Sequence, residues 1–309
     1  MPSKTALPPV SAALFPPLFG VFGLGLVWRT AASWPVGEVI LLVASVLYLF
    51  CLGGYVSVVR TAPGKLWATL HQIPGRSGVA AISLSIMVSS ATVHSYSEVA
   101  AEILLVTGIC LHVLLSFAVA RVLLEGNWDQ RKITPVWHLT FVGYIVASVG
   151  AFPLGWDGLV LWLLILTAPV AAGVIVVSLW QVSRGLMPPV LRPMLAIHLA
   201  PFCLFGYAAE GLGMEGLALI MLYMAIAAFL LLILFLRFLT QAGFGPAWGS
   251  FTFPLAAFVN LLQQYDGFYL ESFATLTLWF ATIAILGIVG GILRLWLRGA
   301  LEVPPKPSS

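Results

Sequence analysis

The stretch GLALIMLYMAIAAFLLLILFLRFL at residues 216–239 carries no charged side chain before Arg237. A helix of this composition is apolar on every face, and only lipid or a large core can cover it. Roughly 20 apolar residues at a helical rise of 1.5 Å cross the ~30 Å hydrocarbon layer of a bilayer, so the stretch predicts a transmembrane helix. The same pattern recurs in both directions. Ten spans are predicted, at 15–33, 36–59, 78–93, 99–124, 135–152, 159–182, 193–209, 216–239, 248–264 and 273–297. Backbone groups in hydrocarbon must bond within their own segment, and the turn signals between these runs fit helices rather than barrel strands.

Composition agrees with this reading. Of 309 residues, 61% are hydrophobic and 8% charged, against roughly 45–50% and about 25% in soluble domains. No stretch is polar enough to fold outside lipid, so one all-α membrane domain is expected over 15–298, between an N-terminal segment, 1–14, and a C-terminal tail, 299–309. A formal net charge of +3 is too small to point to nucleic acid. Cys51, Cys110 and Cys203 sit singly inside apolar runs, without the spacing of a metal site. Lys4, the Pro-rich Leu7-Pro8-Pro9 and an immediate full-length span do not read as a cleaved signal, so the N-terminal segment is expected to remain. Pro63-Gly64-Lys65 lacks the glycine frame of a P-loop, and no His-Glu-x-x-His, Cys-x-x-Cys or nucleophile elbow occurs. No enzymatic activity, cofactor or metal is expected.

The charges orient the spans. With ten crossings, every Lys and Arg except Arg29 falls on the side of the termini. The positive-inside rule makes that side cytoplasmic. Glu38, Glu98, Glu102, Asp157, Glu210, Glu215, Asp266 and Glu271 fall on the other.

The spans also alternate in character. Odd-numbered ones carry small or helix-weakening residues: Pro16, Pro17 and Gly20; Ser83, Ser85, Ser89, Ser90 and Thr92; Pro135 and Gly143; Pro193 and Pro201; Pro246 and Pro254. Even-numbered ones are long, plain apolar helices, apart from Pro169. Proline in a membrane helix frees a carbonyl, tolerated where protein or a water-lined cavity satisfies it. Five helical hairpins are therefore expected, with five odd helices as an inner ring and five even helices outside.

Such an interior contains no mid-membrane Asp, Glu, Lys or Arg, which argues against a cation pathway or a carboxylate proton relay. Its polar lining reduces to hydroxyls such as Ser85, Ser89 and Thr92, on one helical stripe. His94, His138 and His198 also fall on odd spans. Interfacial hydrogen bonding accounts for the first two, near span ends, and leaves His198 as the pore candidate. Protonation of a pore-facing His198 would raise anion conductance. Asn260, Gln263 and Gln264 read as helix-packing glue.

Four motifs in chain order make the sequence familiar. Phe15-Pro16-Pro17-Leu18-Phe19-Gly20 with Leu24-Gly25-Leu26-Val27-Trp28, Thr134-Pro135, Leu191-Arg192-Pro193 through Leu199-Ala200-Pro201, and Trp248-Gly249-Ser250-Phe251-Thr252-Phe253-Pro254 through Asn260 resemble the TehA family. That family comprises tellurite-resistance and dicarboxylate-transport proteins and includes the plant slow anion channels. The resemblance implies a homotrimer in the inner membrane, each protomer with its own pore. It implies that Phe253 closes the pore and that Gly20 lies where the pore wall is close. Pro16, where some relatives have glycine, and His198, where an aliphatic residue is usual, are departures. The expected function is conduction of small inorganic anions, chloride or nitrate, or of organic anions across the lipid bilayer. The alternative is a carrier of dicarboxylate, sulfite or tellurite-type oxyanions, with or without proton coupling.

Overall fold

The computed structural model describes residues 7–301, so Lys4 and Lys306 lie outside the described residues. Among these the chain is helical, with no strand. A 3-10 turn at Ala12–Leu14 opens α1 (Phe15–Ala31), followed by α2 (Trp34–Thr61), α3 (Gly64–Leu70), α4 (Ile73–His94), α5 (Glu98–Glu125) and α6 (Trp128–Arg131). A π turn at His138–Val142 and a 3-10 turn at Gly143–Ala147 lead into α7 (Ser148–Ala151), then α8 (Asp157–Ser183). A 3-10 stretch at Pro189–His198 precedes α9 (Leu199–Gly211), followed by α10 (Glu215–Leu234) and α11 (Leu236–Leu239). A last one at Pro246–Phe251 precedes α12 (Thr252–Leu262), and α13 (Phe268–Leu297) ends the described chain.

Helix ends follow local chemistry. Pro occupies the first turn of α1, α2 and α4, where its missing N–H costs nothing. The Ser97 hydroxyl accepts from the Ala100 N–H at 3.2 Å and caps α5. Glu98, Asp157, Glu215 and Glu271 stand in the first turns of α5, α8, α10 and α13, at the positive end of each helix dipole. Gly185 and Gly213, with φ of +68° and +69°, supply the left-handed residues after α8 and α9.

Among the described residues eight helices are long and apolar enough to cross a membrane. Of the ten expected spans, the fifth and ninth fall short of that length, as the His138–Ala151 segment and the Pro246–Phe251 and α12 pair. Burial alternates along the chain. The α1, α4 and Pro189–Gly211 spans are 78%, 56% and 72% buried, whereas α2, α5, α8, α10 and α13 are 28%, 28%, 28%, 22% and 39% buried. The latter expose Leu49, Phe117, Leu166, Leu234 and Ile283, an apolar surface suited to lipid. Exposed Trp34, Tyr96, Trp128 and Tyr269 sit at or just outside helix ends, as interfacial anchors do.

Two cationic residues differ from their expected surroundings. Arg76 does not sit in a loop before the third span but in the first turn of α4, 2% exposed. Its Nε donates to Leu70 O at 2.7 Å and its Nη1 to Gln130 O at 3.1 Å, satisfying carbonyls at the C-terminal ends of α3 and α6. Arg29 is buried as well. Its Nε lies 2.6 Å from Glu38 Oε1, its Nη1 donates to Thr92 O at 3.0 Å, and its guanidinium covers the Trp34 ring at 4.9 Å. Tyr96 donates to the other Glu38 oxygen.

Candidate functional site

The five buried segments jointly line two cavities. At the end where they finish, a cavity of 230 Å³ is lined by Arg29 and Thr30 of α1, His94 of α4, Val149 of α7, Tyr207 of α9, and Ala256 and Asn260 of α12. Midway, a second cavity of only 20 Å³ is lined by Phe19, Leu84, His138, Val142, Ile197 and Pro201 among others. Near the end where they start, a third of 270 Å³ is lined by Ile73, Lys132, Pro135, Ser178 and Leu191 among others.

Phe253 lines both the first cavity and the second. Its ring is 7% exposed and stacks on Phe19 with centroids 3.7 Å apart and planes inclined by 12°. The 20 Å³ beneath it is room for about one water, since one needs about 10–15 Å³ of such space.

The local backbone presents this ring. Pro254 is the third residue of α12 and lacks the N–H that would bond the carbonyl of Ser250. The helix therefore cannot extend backwards as α, and 246–251 run as 3-10 helix. Pro201 occupies the same third position in α9, after the 3-10 stretch ending at His198. Gly20 faces the start of α12: a Cβ there would overlap the Thr252 side chain and backbone. The Thr252 hydroxyl accordingly reaches Pro16 O at 3.1 Å across the α1–α12 crossing.

The hydroxyl stripe takes another course. Ser85 and Ser89 donate to carbonyls of their own helix, Ala81 O and Ser85 O, both at 2.7 Å, and neither lines these cavities. Thr92 is buried beside Arg29, which takes its carbonyl. Pro135 lines the third cavity and Pro201 the constriction.

The histidines differ most from expectation. His198 does not line the constriction; it borders a 470 Å³ apolar groove on the outer face, between α8, α9 and α10. Its Nε2 lies 2.7 Å from Ser178 Oγ on α8, and its Nδ1 lies 2.8 Å from His138 Nε2. His138 is not interfacial but 3% exposed, and it is among the residues lining the 20 Å³ cavity. The sequence flagged both histidines singly. It held no signal for Ser178, which lies on an even span. His112, buried on α5 and bonded to Ser83 at 2.9 Å, was also missed for that reason. Among the described residues no group of three His, Cys, Asp or Glu side chains is arranged to hold a metal.

The sequence model of the SLAC1 family, described as voltage-dependent anion channel, matches residues 9–293. No curated protein gives a match.

Proposed function

The chain belongs to the SLAC1 family of voltage-dependent anion channels, and we propose that it conducts small anions such as chloride and nitrate through a pore that Phe253 closes. The stack of Phe253 on Phe19, between cavities of 230 and 20 Å³, carries this reading. An apolar constriction of that size blocks ions sterically and resists wetting.

In this reading the five buried segments form the inner ring of the pore and the five exposed helices the outer ring. The short ninth segment is compatible with a crossing: six 3-10 residues and eleven α-helical residues reach about 28 Å at rises of about 2.0 and 1.5 Å, close to the ~30 Å layer. The share of the fifth segment in the lining of the first and second cavities supports its place in that ring. The charge distribution favours a plasma-membrane protein with both termini cytoplasmic. The third cavity, with Lys132 in its wall, then faces the cytoplasm, and Arg29 faces outside. The assembly proposed is a homotrimer with one pore per protomer.

Phe253→Ala tests the gate in planar bilayers with anion substitution. A conducting, folded protein whose reversal potential follows the anion gradient is expected. Wild-type flux from an intact Phe253→Ala oligomer rejects the gate. Saturable exchange of dicarboxylate, sulfite or tellurite without unitary currents would mark a carrier instead.

A further inference from the structure

His138 ends a hydrogen-bonded chain that conduction through an apolar constriction does not require. Ser178 Oγ, His198 and His138 are joined by contacts of 2.7 and 2.8 Å, which commit both nitrogens of His198 and Nε2 of His138. His138 Nδ1 is buried without a partner. His138 is the only residue with a polar side chain among those lining the 20 Å³ cavity beneath Phe253. A buried nitrogen left unpaired is costly, and its presence in a conduction path calls for a ligand.

We propose that His138 Nδ1–H is an anion-binding donor inside the pore, for a small monovalent anion such as nitrate or chloride. Ser178 and His198 are positioning residues that hold His138 in the donating tautomer. The proposal rests on the conduction reading above.

Two proton orders satisfy the chain. In one, Ser178 Oγ–H donates to His198 Nε2, His198 Nδ1–H donates to His138 Nε2, and His138 carries its own proton on Nδ1. In the other every bond is reversed: the Ser178 proton turns to Ile175 O at 3.3 Å, and His138 Nδ1 presents a lone pair. Both rings are neutral in each order, so neither places a charge in the membrane. Passing from the second to the first takes one proton from water at His138 Nδ1, shifts one along each link, and releases one from Ser178 into the 270 Å³ cavity that it lines. An anion is repelled by the lone pair and accepts from N–H, so its arrival selects the first order. Neighbouring charges do not compete for this role. Arg29, in the wall of the first cavity, is paired with Glu38; Lys132 is the one charged side chain lining the third cavity, none lines the constriction, and His112 on α5 is committed through Nδ1 to Ser83.

The test uses full-length Phe253→Ala protein with ¹⁵N-labelled histidine in lipid nanodiscs, titrated with sodium nitrate. Nitrogen NMR distinguishes protonated from bare ring nitrogens. Nitrate is expected to drive His138 Nδ1 saturably into its protonated form. Ser178→Ala weakens that response and Ser178→Thr, which keeps the hydroxyl, restores it. A bare Nδ1 at saturating nitrate, or a response unchanged by Ser178→Ala, overturns the proposal. In bilayers, adding His138→Phe to Phe253→Ala lowers nitrate current about tenfold, the effect of losing one hydrogen bond to an ion. His138→Asn, which keeps a donor near the δ position, retains most of it, and equal currents in all three proteins also overturn the site. Absence of any anion current from Phe253→Ala rejects the conduction reading, while the nitrate response of His138 still decides the site.

Discussion

Close approach at Gly20 sets the first constraint on the crossing of α1 and α12. A methyl group there meets Thr252 side chain and backbone together, and neither yields without moving α12. Gly20→Ala is expected to lower stability by about 1–3 kcal/mol, the usual cost of overpacking, read as a reduced melting temperature in detergent. An unchanged Tm would mean that α1 and α12 part easily. Outside the spans, burial and then the nearby Glu210 carboxylate push the Tyr265 phenol up to about 12. Because that lies above its ordinary value near 10, the stabilisation is fully present below about pH 10 and is lost as pH rises toward 12. Tyr265→Phe should flatten this alkaline limb of stability against pH. The sequence pointed to Gly20 and Phe253 only through motifs in order; neither residue type alone carries a role in a membrane helix. The partners of His198 were not legible, because Ser178 and His138 stand 20 and 60 positions away and no periodicity links them.

Among the elements, the apolar runs were legible because hydrocarbon thickness fixes their length and hydrogen bonding fixes their form. Glu98, Asp157, Glu215 and Glu271 have a local reason that hydropathy did not disclose, since each stands in a first helical turn. The helix type of the buried segments was not legible. Proline announced an interruption, but whether the backbone answers with a 3-10 or a π turn depends on which freed carbonyls find partners in the packed interior. The π turn at His138–Val142 has no proline within it at all. The matched proline positions in α9 and α12 make one consequence testable. Pro254→Ala restores an N–H for Ser250 O, lets α12 extend backwards and reorients the 3-10 stretch before Phe253. Basal halide flux into proteoliposomes should rise, by less than in Phe253→Ala. Flux at the wild-type level would mean that the 3-10 geometry is held by the 189–198 stretch packed beside it rather than by the proline.

For the whole molecule, selectivity follows from what the path lacks. The constriction is walled by Phe19, Leu84, Val142, Ile197, Pro201 and Phe253, with one imidazole as its polar side chain. Beside the 230 Å³ cavity Arg29 is paired with Glu38, so its charge is largely neutralised there. An anion crossing this region sheds most of its water and receives few donors in exchange. The loss is greatest for compact or divalent ions and least for large monovalent ones, whose hydration is weak. Permeability should therefore run nitrate or iodide above chloride, and chloride above sulfate, measured as reversal-potential shifts under bi-ionic conditions in Phe253→Ala. Raising ionic strength should leave this order intact, because dehydration at the constriction is not screened by salt. A sequence led by fluoride or sulfate would require strong, converging donors in the open path, and so a pore wall different from the one proposed for these five segments.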